Sequence, residues 1–307
     1  MHRFTSNLVA IAMAAAAMAS RAAATELWDP HLRGLDEGTV AGALPPPGLY
    51  GILETNVVGF KQYDSNGHRT PCRLDAIVEV PVLLWQTGWN VFGADYAVAI
   101  AQPFDYTNMK VPGTAALSAN GHWGTYNTVL VPGILSWTFE DGLHVSTGLS
   151  VYLDDASSSP GDPPEGGGVG AGNGFASLQP DFGVSWLYDG WNFSLSGHTT
   201  MNFRNAKTDY TSGQELALDY TVTKQLGLWT LGLGGFQEEQ LTHDSGAGAV
   251  ARGCPHQDGC RVSLFGLGPI AAYQFGGLEI IGMYDFGIAA KNDVAGDVLK
   301  VRLIAPL

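Results

Sequence analysis

The sequence predicts an all-β fold, a closed antiparallel transmembrane β-barrel of about 12 strands. Three observations support this. Segments of alternating apolar and polar residues recur along the chain, as in strands whose two faces meet different surroundings. Their connections are alternately short and long, which is typical of outer-membrane barrels. Only 14% of the 307 residues are charged, and beyond the N-terminus no apolar run reaches the roughly 18 residues that a membrane helix needs.

Residues 1–24 have the features of a signal peptide. His2 and Arg3 form a short basic start, Leu8 to Ala19 is an apolar, alanine-rich core, and small residues precede cleavage after Ala19 or Ala24. The alternative, a membrane anchor helix, needs a longer apolar run. A cleaved signal peptide implies export through the inner membrane, and with a barrel it predicts the bacterial outer membrane as the location.

Residues 25–47 are polar, rich in glycine and proline, and show no periodicity. They predict either a flexible periplasmic lead-in or a partial plug inside the barrel, which is expected to occupy residues 48–307. The net charge of −14 argues against a nucleic-acid partner, since phosphates attract basic proteins. The expected partners are outer-membrane lipid and a small-molecule solute. Neither a cofactor nor a metal is expected.

The clearest segment is a hairpin over residues 179–204 that turns at Asp189-Gly190. Successive side chains of a strand point to opposite faces. Aromatic and aliphatic residues therefore share the face toward lipid, and Asp181, His198 and Arg204 share the other. On the lipid face we place Phe182, Val184, Trp186, Tyr188, Trp191, Phe193, Leu195, Met201 and Phe203.

The same alternation predicts the remaining strands. An even number of strands with both termini at the periplasmic end allows the barrel to close, which removes the unpaired edges that lipid would not tolerate. Gly-rich and Ser/Pro-rich connections, such as residues 154–176, are read as loops. The predicted strands span residues 49–60, 75–85, 89–101, 126–139, 143–153, 179–188, 191–204, 215–223, 228–240, 261–275, 278–290 and 298–305.

Assigning the apolar face of each strand to lipid gives the residues of the lumen. In strand 75–85 the face opposite Asp75 and Glu79 is expected to point outward, with Ala76, Val78, Val80, Val82 and Leu84. In strand 126–139 Val129 and Val131 are expected to face outward. The inward, solute-lining candidates are then charged residues and one histidine: Glu79, Asp95, Asp181, His198, Arg204, Glu215, Asp219, Glu279, Asp285, Lys300 and Arg302.

Lys300 and Arg302 bring two cations into a lumen rich in carboxylates. Cross-strand neighbours on one face lie about 4.5–5.5 Å apart at Cβ, so we expect both cations to pair with Glu279, Asp285 and, if its register turns it inward, Glu54. Buried charges persist when they are paired. The lumen is therefore either a salt-bridged interior that fills space or a charged constriction that selects solute.

The three cysteines divide into a close pair and a single residue. Cys254 and Cys260 flank a short turn-rich segment and are expected to form a local disulfide in an oxidising compartment. A metal site that adds His256 and Asp258 to the two sulfurs is the alternative, although its spacing matches no usual zinc pattern. Cys72 has no predicted partner.

The region from Asn202 onward resembles the MetA-pathway of phenol degradation family of bacterial outer-membrane proteins. The resemblance implies an outer-membrane barrel associated with aromatic degradation, and it provides no catalytic residues to carry over. It rests on Asn202-Phe203-Arg204-Asn205, the run Thr208–Gly213, Glu215, Asp219, Gly234-Gly235-Phe236, Gln240, Asp244-Ser245-Gly246, Gly268-Pro269, Asn292, Gly296 and the start Pro47–Tyr50.

The expected function is an outer-membrane channel or uptake protein for small aromatic or hydrophobic compounds, largely because of this resemblance. A structural or adhesive barrel without transport is the alternative. A barrel hydrolase is a further one, since His144, His198 and His243 have serines nearby in sequence. No nucleophile motif accompanies these histidines, so the chain is not expected to be an enzyme.

Overall fold

A computed structural model describes residue 26 and residues 29–110, 123–160, 171–254 and 260–307. The predicted signal peptide lies outside these residues. The described strands form a closed antiparallel β-barrel of 12 strands, in which each strand pairs with its neighbours in the chain and the last pairs with the first. The predicted fold and strand number are confirmed.

The strands, numbered in chain order, are as follows. Three of them are interrupted and are given as two pieces, because both pieces extend one barrel strand. They are β1 Gly48–Tyr63, β2 Arg69–Val91, β3 Ala94–Ala101 with Phe104–Lys110, β4 Trp123–Thr125 with Val129–Thr138, β5 Leu143–Tyr152, β6 Ser177–Tyr188, β7 Trp191–Asn202, β8 Glu215–Leu226, β9 Trp229–Gln240, β10 Ser263–Phe275, β11 Leu278–Lys291 and β12 Val294–Ala295 with Val298–Pro306.

The outer surface of the barrel is apolar, with aromatic side chains concentrated at the end that carries the short turns. Trp186 stacks on Phe193 at 5.6 Å between ring centroids, and Trp89 stacks on Tyr96 at 6.2 Å. Belts of this kind lie at the membrane interface of outer-membrane barrels. In the described part of the chain, no helix has the length and apolar character to cross a bilayer. The protein is an outer-membrane barrel whose outer face meets lipid.

Strand β2 is the main departure from the predicted strands. It runs for 23 residues, and the turn expected near Gln86 lies instead after Val91, because the irregularity near Gln86 is a register shift within the β2–β3 pairing. At its other end β2 begins at Arg69 and β1 extends to Tyr63, so the loop expected between residues 61 and 73 is shortened to residues 64–68.

The faces of β2 are also opposite to the prediction. Val78 and Val80 line the interior, and Glu79 shares the outer face with Ile77 and Trp85, both exposed. Both faces of this strand are apolar over most of its length, so the carboxylates Asp75 and Glu79 determined the prediction. They indicated the wrong face. In β4, Val129 and Val131 likewise line the interior, because a register shift after Leu130 reverses the parity of the strand.

Residues 29–44, called the plug below, lie inside the barrel. Their backbone exchanges hydrogen bonds with inward side chains of several strands: Gly34 and Asp36 donate N–H groups to Asp219, and Gly38 donates to Thr221. In the structure this segment thus lies within the lumen and is bonded to its wall.

The loops after β7 and β9 pack together into a cap at the long-loop end of the barrel. Tyr210 is fully buried there and donates a hydrogen bond to Asp244 at 2.6 Å. Burial raises the pKa of Asp244 to about 6, although hydrogen bonds from Tyr210 and Gly213 act in the opposite direction. A short helix, α1 (Ala247–Arg252), completes the cap.

A disulfide joins Cys254 to Cys260 in this cap, as predicted, and Cys72 is a free, buried cysteine. His256 and Asp258 of the alternative metal site lie outside the described residues. The disulfide closes the chain segment that follows α1, and both cysteines pack with Tyr210, Phe236 and Ala249 in one buried cluster.

We expect non-reducing peptide mapping to recover a Cys254–Cys260 link and an unmodified Cys72. Replacing both bonded cysteines by serine should destabilise the cap by about 2 kcal/mol, because the unfolded loop is no longer constrained. The loss should appear as faster proteolysis of loop 241–262, with the barrel strands still resistant. Replacing Cys72 by serine is the control and should leave this loop resistant. A link from Cys72 to either partner would contradict the assignment.

Candidate functional site

The lumen is divided into an apolar wall and a polar wall. Beside the plug, along β1 to β5, lies a cavity of about 800 Å³. Its lining extends from Leu84, near the short turns, to Asp105 and Tyr126 at the long-loop end. Aliphatic side chains form most of this lining, among them Ile52, Val78, Val80, Val82, Leu84, Val129, Val131, Ile134, Ile281 and Ile304.

The polar wall holds the two predicted cations. Lys300 is fully buried between Asp285, at 2.6 Å, and Glu37 of the plug, at 2.7 Å. Arg302 pairs with Glu54 of β1 and donates to the backbone carbonyl of Glu37 at 2.7 Å. Each cation thus has one carboxylate on the barrel and a second contact on the plug.

A second buried ion-pair cluster anchors the start of the plug. The Arg33 guanidinium contacts Asp29 and Glu238, each at 3.0 Å, and also Asp293. Burial alone would lower the pKa of Arg33, but Asp293, Glu238 and Asp29 together raise it above its ordinary value. Because a buried charge is costly without its partners, this cluster holds the plug against β9 and the segment before β12.

The C-terminal part of the plug, around Ala41 and Gly42, lies against the wall formed by β4 to β7. Ser136 and Ser146 donate to the carbonyls of Gly42 and Ala41, each at 2.8 Å. The contact is close enough to require glycine on both sides. A Cβ atom at Gly183 of β6 would lie 2.1 Å from the Ala41 oxygen, and one at Gly42 would lie 2.3 Å from the His144 oxygen.

A histidine pair lies where the plug meets β7 and β8. The rings of His31 and His198 stack at 4.0 Å between centroids. His198 Nδ1 is 2.7 Å from Asp181, and its Nε2 is 3.3 Å from Asp36 of the plug. His31 Nε2 is 3.6 Å from Asp219. Three carboxylates therefore surround two imidazoles at the boundary between the plug and the cavity.

The predicted lumen residues fall into three groups. Asp181, His198, Asp219, Asp285, Lys300 and Arg302 point inward and contact the plug or one another, as described above. Glu215 is buried on the inner face of β8, and Glu279 lines the cavity from β11.

Three of the predicted lumen residues lie elsewhere. Glu79 faces outward, where its carboxylate accepts a hydrogen bond from Thr55 at 2.7 Å. Asp95 has inward parity but is exposed beside the β2–β3 turn, beyond the packed interior. Arg204 follows the end of β7 and is exposed in the loop, where it pairs with Asp209 at 2.8 Å. The alternation of β7 was extended two residues too far.

The sequence interpretation did not include the plug residues among the site residues. His31, Arg33, Asp36 and Glu37 supply much of the polar contact within the lumen. The composition of the plug could have indicated its polar role, since five of the ten residues from 29 to 38 are ionisable in a chain with few charges. Periodicity could not detect it, because the plug docks by backbone hydrogen bonds and ion pairs and not by one repeated face.

A family model described as "Putative MetA-pathway of phenol degradation" matches residues 60–303. Among curated proteins there is no match. An outer-membrane channel from Pseudomonas putida F1 has a similar structure, with a TM-score of 0.73 and 12% identity over 88% of this chain and 98% of that one. The translocator domain of the autotransporter NalP from Neisseria meningitidis gives a TM-score of 0.52 and 11% identity over 87% and 91%. These structural likenesses show the shared barrel fold.

Proposed function

Because the chain belongs to the family described as "Putative MetA-pathway of phenol degradation", we propose that it is an outer-membrane channel for small apolar compounds, aromatic compounds among them. The Pseudomonas putida F1 protein of similar structure is described as an outer-membrane channel. The observation that carries the proposal is the aliphatic cavity of about 800 Å³ beside the plug.

The lining of this cavity favours an apolar solute over an ion or a sugar. Channels for hydrated solutes present polar side chains to the water that accompanies the solute, whereas here four consecutive inward residues of β2 are aliphatic: Val78, Val80, Val82 and Leu84. Transfer of apolar surface out of water contributes about 25 cal/mol per Å². An aromatic ring is therefore stabilised on this wall.

The polar end of the cavity supplies orientation. Asp36, Asp181 and His198 border the same cavity as the aliphatic wall. A small ring that carries a hydroxyl group can place its apolar edge on β2 and its hydroxyl group near a carboxylate. Apolar pockets with a few convergent polar groups are typical of sites for such compounds. No step of this proposal requires a nucleophile, and we propose transport, not catalysis.

The test is solute uptake into proteoliposomes that contain the mature protein. We expect uptake of phenol-sized aromatic compounds to exceed that of sugars of similar size. Replacing Val80, which is buried in the cavity wall, by tryptophan should reduce aromatic uptake by about tenfold, because the added ring projects into the cavity and narrows the path of the solute.

Val184→Trp is the matched control. Val184 lies on the outer face of β6 and is 38% exposed, so the added ring meets lipid and uptake should stay at the wild-type rate. Uptake by Val80→Trp that equals uptake by Val184→Trp would show that the cavity is not the route. Absence of flux for every solute in the wild-type protein would favour a sealed, structural barrel.

A further inference from the structure

We propose that His31, His198 and Asp219 form a binding site for a borderline divalent metal ion, with Zn²⁺ as the best fit, that joins the plug to the barrel wall. One potential ligand atom from each residue lies within 4.8 Å of the others. The inference is independent of the channel function proposed above.

The imidazole nitrogens are available as ligands. His31 and His198 are 3% and 4% exposed, and the Nε2 atom of each is buried without a hydrogen-bond partner. Orphaned polar atoms in an interior are uncommon and call for an explanation. Both nitrogens are close to carboxylate oxygens, since Asp219 lies 3.6 Å from one and Asp36 lies 3.3 Å from the other.

The surroundings of His198 match those of a metal-binding histidine. Its Nδ1 atom contacts Asp181 at 2.7 Å, so Asp181 can hold a proton on Nδ1. Nε2 faces Asp36 and would bind a metal after releasing its proton, as histidine ligands do. A carboxylate that accepts a hydrogen bond from the other ring nitrogen is the usual partner of a metal-binding histidine. Asp219 is itself held in place, because it accepts the backbone N–H groups of Gly34 and Asp36 at 3.2 and 2.9 Å.

The donor set selects the class of metal. Two imidazoles and one carboxylate suit Zn²⁺, Cu²⁺ or Ni²⁺, whereas Mg²⁺ and Ca²⁺ require a shell of oxygen atoms. Asp36, whose carboxylate lies 3.3 Å from His198 Nε2, is a candidate for a fourth ligand. In a tetrahedral site with bonds of about 2.0–2.2 Å the donors lie roughly 3.4 Å apart, so the stacked rings must tilt and the donors must close by about an ångström. Such an ion would also offset part of the negative charge of the three carboxylates.

The site would connect two parts of the molecule. His31 and Asp36 belong to the plug, whereas His198 and Asp219 belong to β7 and β8. An ion bound by both parts stabilises the docked plug relative to an undocked one, because a ligand that binds one state alone shifts the equilibrium toward it. Zinc binding should therefore protect the plug from proteolysis.

The experiment uses the mature, untagged protein in detergent, stripped with a chelator and titrated with Zn²⁺ in a calorimeter. We expect one Zn²⁺ per chain with little competition from a large excess of Mg²⁺. His31→Ala and His198→Ala should each abolish measurable binding, and Asp181→Asn should weaken it by about 10- to 100-fold. Substitution of Co²⁺ for Zn²⁺ should give the visible absorption bands of a low-symmetry site with nitrogen ligands.

His68→Ala is the matched control, because His68 is an exposed histidine whose ring lies 3.7 Å from Asp64. It should bind Zn²⁺ like the wild-type protein, and all variants must first show the gel shift of a folded barrel on heating. Failure of the wild-type protein to bind Zn²⁺ would overturn the proposal, as would full binding by folded His31→Ala and His198→Ala. The cobalt spectrum of the wild-type protein tests the ligands even if a variant does not fold.

Discussion

Deletion of residues 29–44 is expected to raise the single-channel conductance of the barrel in planar bilayers by about an order of magnitude. Twelve strands enclose more space than an eight-stranded barrel, whose interior side chains fill it, and less than a porin. Here the plug occupies much of that space. Removing it leaves a continuous water-filled path between the two ends of the lumen.

The barrel should remain folded without the plug, because both inward cations keep a partner on the barrel wall. Lys300 retains Asp285, and Arg302 retains Glu54. A gel shift on heating checks the folded state. Gly183→Val is a milder variant. Its Cβ would collide with Ala41 and displace only the C-terminal part of the plug. It should conduct less than the deletion variant.

Gly277→Val is the matched control, which tests whether a valine at any interior or turn glycine raises the conductance. A Cβ at Gly277, in the turn between β10 and β11, would meet Pro306 at 3.5 Å, which is an ordinary contact. Gly277→Val should therefore keep the wild-type conductance. If the folded deletion variant conducts no better than the wild-type protein, the plug is not the barrier.

Lys300→Ala is expected to lower the free energy of unfolding by about 3–5 kcal/mol, because it leaves two fully buried carboxylates, Glu37 and Asp285, without their cation. Urea titration, monitored by the fraction of protein that migrates as a folded barrel, measures the loss. The plug should also become more sensitive to protease, since one of its two pairs with the final strand is gone.

Lys224→Ala is the control variant, because Lys224 forms its ion pair near the surface and not in the interior. Lys224 lies 3.2 Å from Asp189, whose side chain is 81% exposed, and such pairs contribute about 0–1 kcal/mol. Equal urea midpoints for the two variants would show that burial does not determine the contribution of Lys300.

The parts of the fold that could be predicted from sequence are those in which lipid selects the residues. The hairpin of β6 and β7 was assigned correctly, because Trp186 and Phe193 mark its outer face beside the inward Asp181 and His198. The strand count follows from the same alternation. The faces of β2 could not be assigned in this way, because an apolar cavity makes the inner face as aliphatic as the outer one.

The lumen was harder to predict because its contacts are distant in sequence. Arg33 meets Glu238 and Asp293, which are 205 and 260 residues away. The charges of the barrel wall could be assigned from parity, but their partners on the plug follow no period. Lys300 shows the difference: its neighbour Asp285 was expected from strand pairing, whereas Glu37 was not.

The position of the plug has a consequence for how the protein is made. The plug precedes every strand in the chain, yet it binds side chains of β8 and β9 and of the final strand β12. Its binding surface does not exist until the last strand has been exported and has paired with β1. During assembly the segment must therefore wait in the periplasm, unpaired and exposed to proteases and chaperones. Docking of the plug then follows closure of the barrel, and a closed barrel whose plug has not docked is expected to leak.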